Sequence, residues 1–79
     1  MFFYTYILVS KKDGKLYIGF TEDLVNRIKE HADGNVDATK HRRPLELIYY
    51  EACKNKGKAI KREAYFKTGF GRRFLKQRI

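Results

Sequence analysis

The apolar positions of the chain fall into blocks with different periods, and each block predicts an element. Phe2 to Val9 is rich in aromatic and β-branched residues and reads as a strand. Ser10-Lys11-Lys12-Asp13-Gly14 is polar and carries an Asp-Gly turn signal. Lys15 to Gly19 is a second strand, so the first two strands form a hairpin. Thr21 or Asp23 can cap a helix whose positive N-terminus suits Glu22 and Asp23. That helix runs to about Asp33 on an apolar stripe of Leu24, Ile28 and Ala32, and Gly34 stops it. Asn35 to Arg43 is polar and predicts a loop. Pro44 introduces a third strand, Leu45 to Ala52. A second helix covers Lys56 to Thr68, Gly69 and Gly71 interrupt it, and a short basic helix, Arg72 to Arg78, closes the pattern. The order ββαβαα predicts a small mixed α/β (α+β) unit, helices packed on a three-stranded antiparallel sheet.

Seventy-nine residues fit one domain, residues 1–79, with a thin margin of stability. No apolar run is long enough to span a membrane. The apolar start is followed, not preceded, by Lys11 and Lys12, the wrong order for a signal peptide. Cys53 is the one cysteine, which leaves no internal disulfide and no cysteine zinc site. It reads as an ordinary core or edge residue of the third strand rather than a nucleophile. A reducing, cytoplasmic setting is the expectation.

Charge changes the picture. Residues 1–53 hold eight Lys/Arg and eight Asp/Glu, whereas residues 54–79 hold ten Lys/Arg against Glu63 alone. The net charge of +9 therefore belongs to the last third. A one-sided basic surface suits a polyphosphate partner, because counterion release drives that association. The plainer reading is a solvated lysine-rich helix. An anionic membrane surface is a weaker option, since no anchor is visible.

Three groups of residues look expensive for so small a protein. Ala59, Glu63, Phe66 and Phe70 share a narrow stripe of the second helix. A carboxylate there costs several kcal/mol unless paired or metal-bound. Helical spacing alone favours an ion pair with Arg27 over a metal ligand. Arg27 and His31, four apart, share an edge of the first helix. They read as a surface pair, or as a phosphate fork with a proton-transfer partner. If Val9 pairs with Gly14, Tyr6 lies directly opposite Tyr17. The pair is then an aromatic core contact or two phenols in one cleft.

Together these features resemble the GIY-YIG nucleases, in particular their small single-domain bacterial subgroup. Tyr4-Thr5-Tyr6 stands where the GIY triplet would, and Tyr17-Ile18-Gly19 is the YIG triplet. The run through Phe20, Thr21, Leu24, Arg27 and His31 resembles the family's strand-to-helix segment, and Arg62, Glu63 and Lys67 its metal-binding helix. The likeness covers almost the whole chain. It departs at Tyr4 and Thr5 of the first triplet. It also departs after Tyr65, where no asparagine stands and Gln77 or a water would have to serve.

The resemblance implies a nucleic-acid-binding endonuclease that hydrolyses phosphodiesters with one divalent ion, Mg²⁺ or Mn²⁺, and no small-molecule cofactor. Tyr17 would be the general base, helped by Tyr6. A phenol has an ordinary pKa of about 10, so a nearby cation must favour the phenolate. Arg27 would hold the scissile phosphate, His31 would assist proton transfer, and Glu63 would hold the metal ion. This reverses the preference for an ion pair at Glu63. Lys58, Lys61, Arg62, Lys67, Arg72, Arg73, Lys76 and Arg78 would supply the phosphate contacts, with DNA favoured over RNA. The alternatives are a nucleic-acid-binding module with little or no cleavage, and a protein-interaction domain with a basic face.

Overall fold

The expected hairpin forms from β1 (Phe3–Ser10) and β2 (Leu16–Thr21) in a computed structural model that describes residues 1–79. Its register differs from the one that would set Tyr6 against Tyr17. The turn closes at Ser10, whose N–H donates to the Lys15 carbonyl at 2.9 Å. The Ser10 hydroxyl accepts the N–H groups of Lys12 and Asp13, and the Asp13 carboxylate accepts that of Lys15. Gly14 takes the left-handed conformation that the turn needs, with φ +74°. Val9 therefore pairs with Leu16, and Tyr6 lies opposite Gly19. A two-residue displacement keeps every side chain on its face. Tyr6 and Tyr17 still share a surface, as diagonal neighbours.

β3 (Leu45–Cys53) pairs with the other edge of β1, giving the antiparallel order β2-β1-β3. Ile48 is a bulge residue between Leu47, opposite Leu8, and Tyr49, opposite Ile7. The odd-numbered residues of β1 face α2 (Lys56–Phe66) and α3 (Gly69–Lys76). Ile7, Ile18, Phe66 and Leu75 form the buried cluster there, ringed by Leu16, Ile48, Tyr49 and Phe74. The even-numbered residues face α1 (Leu24–Ala32) and the segment 35–44. The order ββαβαα and the α+β architecture are as expected.

The helix termini follow local chemistry, and the details correct several expectations. Asp23 caps α1 by accepting the Asn26 N–H, and Gly34, φ +79°, follows its end. Within α1, however, Ala32 is exposed, Leu24 and Ile28 are half-buried, and His31 is the one fully buried residue. The polar segment is not a plain loop: it buries Val36 and Thr39 and holds a 3-10 turn, Lys40–Arg42. α2 ends at Phe66, not Thr68, and α3 begins at Gly69, not Arg72, because Thr68 caps α3 by accepting the Gly71 N–H at 3.1 Å. Gly71 lies against the backbone of Tyr65 and Phe66, where a side chain would overlap the Tyr65 carbonyl. Phe70 consequently belongs to α3 and is 69% exposed, so the apolar stripe expected around Glu63 is incomplete.

Candidate active site

Tyr6 is the centre of the site. The central strand buries it completely, and its hydroxyl lies 2.9 Å from Nε2 of His31, presented by α1. The ring rests on Gly19, where any Cβ would overlap the ring and hydroxyl of Tyr6. That contact is the physical reason for the glycine of the Tyr17-Ile18-Gly19 triplet. Arg27, one turn before His31, donates its Nε–H to the Tyr6 oxygen at a long 3.4 Å. On the other side of the imidazole, Nδ1 lies 2.7 Å from Oγ1 of the buried Thr39. Arg27 can only donate, which leaves the Tyr6 hydrogen for Nε2 of His31. Nδ1–H of His31 then donates to Thr39, the assignment that satisfies each of these groups.

The electrostatics agree with this assignment. Burial pushes the Tyr6 phenol above its ordinary pKa, outweighing the opposing hydrogen bond from Arg27, and the nearby Tyr17 and Glu63 add to the rise. Burial also lowers the His31 pKa, and the Arg27 charge lowers it further. At neutral pH both groups are uncharged. Thr39 lies in the polar segment, where no period or motif marks it, and only the fold shows its role. Replacing Thr39 with Val strands the buried Nδ1–H. We expect a loss of about 1–3 kcal/mol in a urea titration, and an unchanged midpoint would rule out this hydrogen bond.

Tyr17 and Arg27 approach this centre from β2 and α1, and Glu63 sits on α2. Tyr17 of β2 is half-buried, with its ring centroid 6.3 Å from that of Tyr6 and 5.1 Å from the His31 ring. Arg27 keeps its side chain 33% exposed, leaving part of the guanidinium open for an anion, while Nη1 lies 3.5 Å from Glu30. Glu63 of α2 does not pair with Arg27. Its carboxylate lies 3.3 Å from the Lys67 ammonium, and its side chain is 24% exposed. The expectation of a carboxylate sealed in an apolar stripe is therefore corrected: the break between α2 and α3 carries Phe70 away and leaves Glu63 at a solvent margin.

No group of three or more His, Cys, Asp or Glu side chains is gathered for a metal ion. Glu63 alone fits a looser arrangement, in which Mg²⁺ is held by one carboxylate, substrate oxygens and water. Its partial exposure and single lysine partner are compatible with that geometry.

Of the expected phosphate contacts, Lys58, Lys61, Arg72, Arg73, Lys76 and Arg78 are exposed. Lys67 is engaged by Glu63. Arg62 is committed elsewhere. Its guanidinium forks onto Glu51 at 2.9 and 3.1 Å and packs 4.6 and 4.7 Å from the rings of Phe66 and Phe74. The Tyr49 hydroxyl also donates to Glu51, at 2.8 Å. Arg62 thereby ties α2 to β3 and α3. Cys53 is a free thiol that donates to the Asn55 carbonyl at 3.1 Å.

Comparison with known proteins bears on this geometry. The model of the GIY-YIG catalytic domain matches residues 2–77. The UPF0213 protein YazA of Bacillus subtilis is 46% identical over 84% of this chain, and the match spans 65% of YazA. The UPF0213 protein SSP2268 of Staphylococcus saprophyticus is also 46% identical, over 82% of this chain and 79% of its own. The solution structure of the UPF0213 protein BH0048 from Bacillus halodurans superposes with a TM-score of 0.61 and 35% identity, covering 98% of this chain and 84% of that one. With the catalytic-domain model matched over residues 2–77 and relatives 46% identical across most of their length, this chain belongs to the GIY-YIG family.

Proposed function

We propose that the protein is a metal-dependent endonuclease that hydrolyses nucleic-acid phosphodiesters, with DNA as the preferred target. The observation that supports this reading is the meeting of Tyr6, Tyr17, Arg27 and His31, drawn from three elements, at one partly open site, with the charge of Glu63 on α2 felt at the Tyr6 phenol. Tyr17 has solvent access and is the base that takes a proton from the attacking water. Tyr6 is buried and neutral, and its hydrogen is directed to His31. Both nitrogens of His31 are engaged, so Tyr6 and His31 act as positioning residues that fix the ring beside Tyr17. The open side of Arg27 binds the scissile phosphate and offsets the negative charge that grows as water adds to phosphorus. Glu63 would hold a divalent ion, which would supply neutralisation of the charge that builds on the phosphate. The exposed cations of α2 and α3, Lys58, Lys61, Arg72, Arg73, Lys76 and Arg78, hold the flanking backbone. These contacts read phosphate rather than base sequence, which implies weak sequence preference.

A second reading, a binding module without turnover, draws support from two features. The Lys67 ammonium occupies the carboxylate that the ion would need, and residues 66–79 hold no asparagine. Gel assays on plasmid, single-stranded DNA and RNA, with and without Mn²⁺, separate the two. Mn²⁺-dependent cleavage supports the enzyme, whereas retarded but intact substrate supports the module. Tyr17→Phe removes one oxygen from a half-buried ring and leaves packing nearly unchanged. Its cleavage rate is expected to fall about 10²-fold, and full activity would end the role of Tyr17 as base.

A further inference from the structure

The basic last third is not the only cationic surface. On the even face of the sheet, the turn between β1 and β2 and the segment 39–44 border an open cleft of about 600 Å³. Its lining includes Lys12, Ala32, Lys40, His41 and Arg43. The segments 11–15 and 37–43 that surround it hold six Lys/Arg against Asp13 and Asp37. The even charge balance of residues 1–53 concealed this, because most of the compensating acids lie on other elements.

The walls of the cleft are tied together. Ser10 Oγ donates to the Arg42 carbonyl at 2.7 Å, the Lys11 N–H to the Pro44 carbonyl at 2.8 Å, and Lys12 Nζ to the His41 carbonyl at 3.3 Å. Arg43 is held from two directions, with Nε–H on the Lys40 carbonyl at 3.0 Å and Nη1–H on the Ala32 carbonyl at 3.4 Å. These bonds orient the guanidinium while its remaining donors stay free. A plainer role for Arg43 is to satisfy the carbonyl end of α1. That role accounts for Arg43 but not for the convergence of Lys12 and Lys40 on the same cleft. The acids nearby do not neutralise it. Asp37 pairs with Lys40 at 3.4 Å but is 97% exposed, and Asp13 lies 3.8 Å from Arg42.

Position also matters. Ala32 and Lys40 directly follow His31 and Thr39 in the chain. The cleft therefore begins one residue beyond the hydrogen bond that holds the His31 ring. We propose that this cleft is a second phosphate-binding site, which takes the nucleic-acid backbone as it leaves the active site on the side opposite the basic third. The proposal rests on the nucleic-acid reading above and adds a direction to it. The strand crosses the Tyr6–His31 site with cations on both flanks, which would orient the scissile phosphate toward Arg27.

The test uses the full chain and a short duplex of mixed sequence. In an ¹H–¹⁵N titration, the amides of residues 11–14 and 40–45 are expected to shift along with those of α3. Lys12→Gln with Lys40→Gln removes two charges without touching Arg43, and circular dichroism checks that the fold survives. The slope of log K against log salt is expected to flatten by about 1.8, two phosphate contacts at about 0.9 each. Equal slopes for the folded variant and the wild type, with no shifts at 11–14 and 40–45, would overturn the cleft while leaving nucleic-acid binding intact. A wild type that binds no duplex would overturn both readings. Equal shifts with a poly-glutamate peptide at matched charge would assign the cleft to acidic proteins and overturn the proposal.

Discussion

Replacing Glu63 with Gln is expected to lower Mn²⁺-dependent cleavage about 10²- to 10³-fold while leaving the melting temperature nearly unchanged. The substitution keeps the shape and removes the charge. A hard cation held by a single carboxylate depends on that charge. A metal ion contributes several kcal/mol of charge stabilisation, and a loss of about 3–4 kcal/mol corresponds to two to three decades in rate. Helical spacing offered a rival expectation, in which Glu63 neutralises a buried Arg27 and its loss strands the guanidinium at a large cost. The fold removes that rival, because Arg27 lies against Glu30 and Tyr6 while Glu63 meets only Lys67. Lys67 is 53% exposed, and an exposed pair of this kind is worth about 0–1 kcal/mol. Mn²⁺ titration by calorimetry, with thermal melts of both proteins, provides the check. A Glu63→Gln protein that still binds Mn²⁺ and cleaves would remove Glu63 as the ligand. One that melts far below the wild type would show that it serves structure instead.

Gly71→Ala and Gly69→Ala are expected to differ in sign, although both place alanine in the first turn of the same helix. Alanine is the better helix former by up to about 1 kcal/mol. At Gly69 a Cβ meets nothing within 4 Å, so the change is expected to be neutral or mildly stabilising. At Gly71 it would overlap the Tyr65 carbonyl and crowd Phe66 Cα, which are backbone atoms and cannot rotate aside. α3 would have to lift from α2, opening the cluster of Phe66, Leu75 and Phe74. Overpacking of this kind costs about 3 kcal/mol at its upper range, which exceeds the propensity gain. In a domain of this size that loss lowers the melting temperature by roughly 12–24 °C. Gly71→Ala melting with the wild type would mean that the two helices are not in the close contact described.

Much of the architecture is written in local patterns. Asp23, Gly14 and Gly34 mark their caps and turns through bonds within a few residues, and the strand and helix periods report which elements form. The five candidate site residues were also legible, since two triplets and a helical spacing carry them. What local pattern cannot report is contact between segments far apart in the chain. The hairpin register turned on which residues Ser10 and Asp13 bond, and a two-residue displacement leaves the alternation of faces untouched. Glu63 read as a buried charge because Phe70 was counted on the same helix. The cap at Thr68 and the close packing of Gly71 end that helix first. His31 lay beside an expected stripe, yet it is the residue that α1 buries, because Tyr6 and Thr39 offer both its nitrogens partners. Arg62 looked like one more free cation until Glu51, eleven positions earlier, and two aromatic rings claimed it. Summed over residues 1–53 the charges cancel, but charge acts through space. The sequence alone therefore determined the main strands and helices and their order, and named a candidate chemical set. Only the tertiary structure decided which phenol is buried, which carboxylate stays open, and that Lys12, Lys40 and Arg43 converge beside the site, because each depends on distances that the chain closes only when it folds.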